Sequence, residues 1–96
     1  MSAYFVVELE VTNAVGMEPS RAAVGATVEK YGGRFLARAG ATELIEGGPE
    51  PKRIVILEFP DQPAFKRWYD SPEYQKILPS RLNNSTARAF VVQGVS

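Results

Sequence analysis

The segment RIVILEF, residues 53–59, is the most apolar strand-like run of the chain and is rich in β-branched residues. That composition suits a pleated surface and predicts a central strand of a sheet. Ahead of it, GGPEP (47–51) reads as a turn. RFLARAGATELIEGG (34–48) reads as a partner strand, bent or bulged near Gly40. Further back, Gly32-Gly33 ends a helix, because glycine takes the left-handed conformation that a helix stop needs. The spacing predicts that helix from Pro19, which suits a first turn, to about Tyr31, with Arg21, Val24, Val28 and Tyr31 on one stripe. Glu18 lies favourably near the positive end of its dipole. Gly25 inside it costs roughly 1 kcal/mol relative to alanine and suggests either a close backbone contact or simple tolerance. Thr12 to Gly16 reads as a loop, and Ala3 to Val11 alternates as a strand does.

Beyond residue 59, Asp61 is a helix cap. The helix that follows carries Phe65, Trp68 and Tyr69 at i, i+3 and i+4. WYDSPEYQ (68–75) leads into a short helix reaching about Leu78, where Pro79 ends or kinks it. A last strand is expected from about Thr86 to Gln93. The order is β-α-β-β-α-β, the split βαβ or ferredoxin-like arrangement. It predicts an α+β fold with a four-stranded antiparallel sheet and the helices on one face. Residues 1–96 are expected to form a single domain.

Bulk composition removes several classes of function. Eleven basic and eleven acidic residues cancel without segregating into blocks, so the basic stripe of a nucleic-acid binder is missing. Without cysteine there is no disulfide framework, zinc-thiolate site or thiol nucleophile. Without histidine the commonest metal ligand and the usual general base near neutral pH are gone. MSAYFVVELE has no basic region before its apolar run, and glutamates interrupt that run, so neither a signal peptide nor a membrane span is expected. The expectation is a cytoplasmic protein without membrane or nucleic-acid partners.

Strand alternation assigns the two sheet faces. Phe5, Val7, Leu9, Val11, Phe35, Ala37, Val55, Leu57, Phe59, Ala89 and Val91 form an uncharged set for the helix side. The opposite face collects Tyr4, Val6, Leu36, Ile54, Ile56, Phe90 and Val92, with Glu8, Glu10, Arg34, Arg38, Glu58 and Arg88 among them. A face left in water should be mainly polar, and this one carries large apolar residues on every strand. A homodimer joined sheet to sheet about a twofold axis is the economical answer. The charges on that face read first as ion pairs and solvated rim, and second as a polar cluster at the mouth of a cavity.

Two motifs favour bland readings. KYGGRF (30–35) follows a helix and opens a strand, the reverse of a dinucleotide fingerprint, so it is a helix cap and no nucleotide site is expected. In WYDSPEYQ, Ser71 can cap with Pro72 at the first helical position, or Asp70 can cap with Glu73 three residues on as a capping box. The segment is then mainly a hinge between helices. Trp68 and the tyrosine hydroxyls are left to bind a planar ligand if they line a cavity.

YGGRFLARAG (31–40), VILEFPD (55–61), WYDSPEYQ, Arg81 and the closing VVQG (91–94), in this order, resemble the domain-of-unknown-function 1330 family, DUF1330, of the dimeric α+β-barrel superfamily. The resemblance spans nearly the whole chain. It implies a ferredoxin-like protomer and a dimer whose two sheets form a barrel, and it implies no established activity. Wider relatives include cofactor-independent monooxygenases of aromatic polyketides, muconolactone isomerases and haem-binding chlorite dismutase-like proteins. The missing histidine departs from the haem-binding type, and no cofactor or metal is expected.

The expected function is a small-molecule-binding or accessory homodimer without strong catalysis. Its alternatives are a cofactor-independent monooxygenase or isomerase acting on an activated aromatic or lactone, and a structural, protein-interaction module. For a site, the candidates are Arg38, Glu8, Glu58, Trp68, Tyr69 and Arg81, facing a small aromatic or carboxylate ligand. Arg38 and its fork would hold a carboxylate or enolate. Glu8, with Glu58 near it, is the general-base candidate; burial would raise its pKa and a neighbouring arginine would lower it. Trp68 and Tyr69 would form an aromatic wall. Arg81 would reach the cavity from its rim, although a plain surface arginine is the commoner case.

Overall fold

The computed structural model describes residues 1–95. Strands β1 (Ala3–Val11), β2 (Arg34–Arg38), β3 (Arg53–Phe59) and β4 (Ser85–Gln93) and helices α1 (Ala14–Lys30), α2 (Gln62–Tyr69) and α3 (Pro72–Leu82) follow in the order β1-α1-β2-β3-α2-α3-β4. The sheet order is β2-β3-β1-β4 and every pairing is antiparallel. RIVILEF is thus an inner strand, and the fold is α+β and ferredoxin-like, with its second helical segment divided into two. Along β1 the alternation is strict: Ala3, Phe5, Val7 and Leu9 are buried under the helices. Trp68, Phe59 and Val28 lie at the centre of the core and are almost wholly sealed from solvent. Burying side chains of that size contributes about 1.5–3 kcal/mol each.

Both helix-length expectations based on proline fall short. Helix α1 starts at Ala14, because the Asn13 side chain accepts the Gly16 N–H at 3.2 Å and caps it. Pro19 therefore lies inside the helix, where it forgoes one backbone bond near the N-terminal end. Helix α3 runs past Pro79 to Leu82. Its last carbonyls are met by side chains: Asn84 Nδ2 donates to Ser80 O at 2.7 Å, and Ser85 Oγ donates to Arg81 O at 2.6 Å. The glycine stop of α1 forms as the sequence predicts. Gly32 adopts φ +81°, its N–H donates to Glu29 O at 3.1 Å, and the Gly33 N–H donates to Val28 O at 3.0 Å. These are the two paired bonds of a Schellman ending.

The second strand differs most. β2 stops at Arg38 instead of continuing to residue 48, and its irregularity lies at Leu36, not near Gly40. Phe35 stands opposite Leu57, yet Ala37 stands opposite Ile56 and Arg38 opposite Val55. The extra residue inverts the alternation beyond it. Ala37 moves to the open face with Ile56, and Arg38 moves to the helix side with Val55, each opposite to the expectation from simple alternation.

Candidate functional site

Between the sheet and the helices lies a cavity of about 120 Å³. Phe5, Val7 and Leu9 of β1, with Val55 and Leu57 of β3, form its sheet side; Met17 and Val24 of α1 face them. Trp68 and Tyr74 supply aromatic wall, Ser20 adds a hydroxyl, and Arg21, Arg38, Arg53 and Arg81 join the lining from four different elements. Among the described residues no aspartate or glutamate lines it.

WYDSPEYQ builds the aromatic wall through its cap. Ser71 Oγ accepts the Tyr74 N–H at 3.2 Å and donates to Trp68 O at 2.6 Å. One hydroxyl therefore closes α2 and opens α3, bringing the Trp68 and Tyr74 rings to 4.0 Å between centroids, tilted by 35°. Asp70 takes no part in this cap; it is the closing residue of α2. Trp68 is fixed from its other side, where Nε1 donates to Thr27 Oγ1 at 3.0 Å and the Thr27 hydroxyl donates to Val24 O at 2.7 Å. The Tyr74 hydroxyl accepts from Arg81 Nη2 at 3.5 Å. Burial pushes the Tyr74 phenol above its usual pKa, and the Arg81 charge partly offsets this.

Arg38 reaches the cavity because of the bulge at Leu36. Its guanidinium lies 4.4 Å from the Phe35 ring centroid, and Nη2 donates to Arg21 O at 2.9 Å, so the side chain spans from β2 to α1. Arg53 shares the helix-side face with Leu9, its partner across the β1–β3 ladder.

The sequence-derived candidates divide in two. Arg38, Trp68 and Arg81 come together around the cavity. Glu8 and Glu58 stand on the open face of the sheet, apart from them. Glu8 accepts the Lys52 backbone N–H at 3.2 Å and is paired in register with Ile54 and Arg88. Glu58 accepts from Arg34 Nε at 2.7 Å, and this hydrogen bond leads in holding its carboxyl below the ordinary range. Tyr69 is outside the lining and packs behind it, 5.9 Å from Phe5 and 5.3 Å from Tyr74 between ring centroids. Arg21 and Arg53 are the additions, and Tyr74 enters as one of the WYDSPEYQ tyrosines reserved for a cavity, although it was not among the named candidates. Signals for them were present: an arginine on the apolar stripe of α1, an arginine in phase with Val55 and Leu57, and a tyrosine three residues beyond the capping serine.

Among the described residues no group of three or more His, Cys, Asp or Glu could hold a metal ion, and no helix is long and apolar enough to cross a membrane.

The model of the family described as "Domain of unknown function (DUF1330)" matches residues 2–95, and the chain belongs to that family. No curated protein matches the chain. Among solved structures, a protein of unknown function from Rhodopseudomonas palustris is similar with a TM-score of 0.79 at 17% identity, covering 99% of this chain and 83% of that one. SnoaB, a cofactor-independent oxygenase from Streptomyces nogalater, is similar with a TM-score of 0.70 at 21% identity, covering 99% and 94%. A dimeric ferredoxin-like protein of unknown function from Thermobifida fusca is similar with a TM-score of 0.51 at 14% identity, covering 96% and 92%. At these identities the likeness is one of fold.

Proposed function

We propose that this chain is a small-molecule-binding homodimer whose ligand enters the cavity between sheet and helices, without strong catalysis. The observation that carries the reading is the cavity itself, apolar over most of its surface and walled by Trp68 and Tyr74. A concave, largely apolar space with a few convergent polar groups has the form of a ligand site, and at about 120 Å³ it suits a ligand of about one aromatic ring. Binding is favoured over proton transfer because the carboxylates Glu8 and Glu58 stand on the other face, leaving arginines, the Ser20 hydroxyl and one phenol at the cavity. The dimer is supported by the open sheet face, where Leu36, Phe90 and Val92 are each about half exposed beside Val6, Ile54 and Ile56. A second copy of the sheet would cover them, as the dimeric relative from Thermobifida fusca suggests.

A second reading, cofactor-independent oxygenation, is favoured by one feature. The Tyr74 phenol lies beside Arg81, an arrangement able to steady an enolate, and SnoaB shares the fold. One experiment separates the two. Aromatic ligands are titrated while Trp68, the single tryptophan, reports by fluorescence, and every ligand that binds is then assayed for oxygen uptake and product. Saturable binding without turnover supports the first reading. Turnover that survives chelator and falls in Tyr74→Phe supports the second, and silence throughout would shift the chain to an interaction role.

A further inference from the structure

We propose that the cavity selects an organic monoanion, a planar apolar body bearing one carboxylate, with the carboxylate held by Arg38 and Arg81. This rests on the reading of the cavity as a ligand site and adds the charge of the ligand. Four arginines from α1, β2, β3 and α3 line a space that no aspartate or glutamate enters among the described residues. Among the described residues, Arg21 is the one of the four with an ion-pair partner, Glu18 at 3.5 Å, and both side chains are exposed. Arg38 and Arg81 give hydrogen bonds to neutral acceptors, the Arg21 carbonyl and the Tyr74 phenol. Each guanidinium has five N–H groups in a fixed fork, so donors are left for a carboxylate.

The charge pattern excludes other occupants by cost. A cation would meet like charge on several sides. A strongly hydrated inorganic anion would exchange water for Val7, Val55 and Leu57, which return no hydrogen bonds. An amphiphilic anion satisfies both surfaces, its body against Trp68 and Leu57 and its charge toward the arginines. Arg38 is already braced for this role, because the Phe35 ring below it and the Arg21 carbonyl beside it limit its rotamers before any ligand arrives.

The test pairs acids with neutral isosteres: benzoate against benzamide and 4-fluorobenzoate against 4-fluorobenzamide, with benzylamine as the cation. Binding is read from the single indole N–H resonance of Trp68 in ¹⁵N-labelled protein. The acids are expected to bind about tenfold tighter than their amides, the scale of one charge-assisted hydrogen bond, with the preference shrinking as salt is added. Arg38→Gln and Arg81→Gln should each weaken the acid more than the amide, because the amide carbonyl gives up a neutral hydrogen bond where the carboxylate gives up a charged one, and so bring the two affinities together. Equal affinity for acid and amide would overturn the charge selection while leaving the cavity as a ligand site. Binding of the acids that neither arginine variant weakens would overturn the assignment of these residues. Failure of every compound to move the Trp68 resonance would overturn both the cavity reading and this inference.

Discussion

Trp68 donates its indole N–H to the Thr27 hydroxyl at 3.0 Å, a buried bond that ties α2 to α1 beside the cavity. The same hydroxyl donates to Val24 O, so Thr27 serves as both acceptor and donor. Thr27→Val keeps the shape and removes the acceptor, leaving a buried N–H without a partner. A loss of about 1–3 kcal/mol is expected in urea denaturation. Thr27→Ser keeps the hydroxyl and should lose less. Introduced into Trp68→Phe, where no donor remains, Thr27→Val should cost distinctly less than in the wild type. The same cost in both backgrounds would show that the bond contributes nothing.

Two glycines should respond in opposite directions to alanine. At Gly25 an added Cβ would find its nearest neighbour, Arg38 Nη1, at 3.9 Å, which is ordinary contact. Gly25→Ala is therefore expected to stabilise the protein by roughly 0.5–1 kcal/mol, through helix propensity and a less flexible unfolded chain. At Gly33 the added atom would come within 2.6 Å of the Phe59 ring and 2.9 Å of Val28, both fully buried. Gly33→Ala should lower stability by about 1–3 kcal/mol as the core shifts to admit it. Thermal melts of the two variants, measured side by side, check both signs.

Glu73 joins the start of α3 to the end of α1. Its carboxylate accepts from the Tyr31 hydroxyl at 2.9 Å and pairs with the Lys30 ammonium. The Lys30 hydrogen bond is the leading cause that lowers its pKa from 4.5 to about 2. A folded-state pKa below the unfolded value gives stability that is fully present above about pH 4.5 and is lost as the pH falls toward 2. Lys30 shifts the other way, its pKa raised by Glu73, so its share is present below the ordinary lysine range and is lost at higher pH. Glu73→Gln should flatten the acid limb of the stability profile between about pH 4.5 and 2, and added salt should flatten it in the wild type. An unchanged acid limb in Glu73→Gln would place the acid sensitivity elsewhere.

What the sequence could and could not reveal follows from the range of each interaction. Strand alternation over Ala3–Val11 and the glycine stop at Gly32 are local, and both were legible. The bulge at Leu36 is not local. It depends on how β2 meets β3, and one residue of slip reversed the faces of Ala37 and Arg38. Pro19 and Pro79 misled for a related reason: Asn13 caps the turns ahead of Pro19, Asn84 and Ser85 satisfy carbonyls beyond Pro79, and tertiary packing holds both helices despite the lost backbone bond. The cavity was legible only in part. Trp68 announced itself by size, and Arg38 was singled out for its fork but placed on the wrong side of the sheet. Arg21 and Arg53 stand in phase with apolar neighbours of their own elements, but only the tertiary fold brings those elements together around one space.

The open sheet face gives the last prediction. Ile56 lies in an inner strand opposite Val6, and Phe90 flanks Val6 from the edge strand at 47% exposure, with the Arg88 guanidinium 5.6 Å from its ring centroid. If a second copy covers this face, light scattering at micromolar concentration should report twice the 10.5 kDa chain mass. Ile56→Glu would place a charge in an apolar interface and is expected to dissociate the dimer or unfold it. Phe90→Glu discriminates better. A half-exposed edge position has little to lose in the monomer, and Arg88 is near enough to pair with the new carboxylate. The variant should therefore keep its secondary structure and scatter as a single chain. A wild type of single-chain mass would remove the dimer, and a Phe90→Glu protein still at twice that mass would move the interface away from this face.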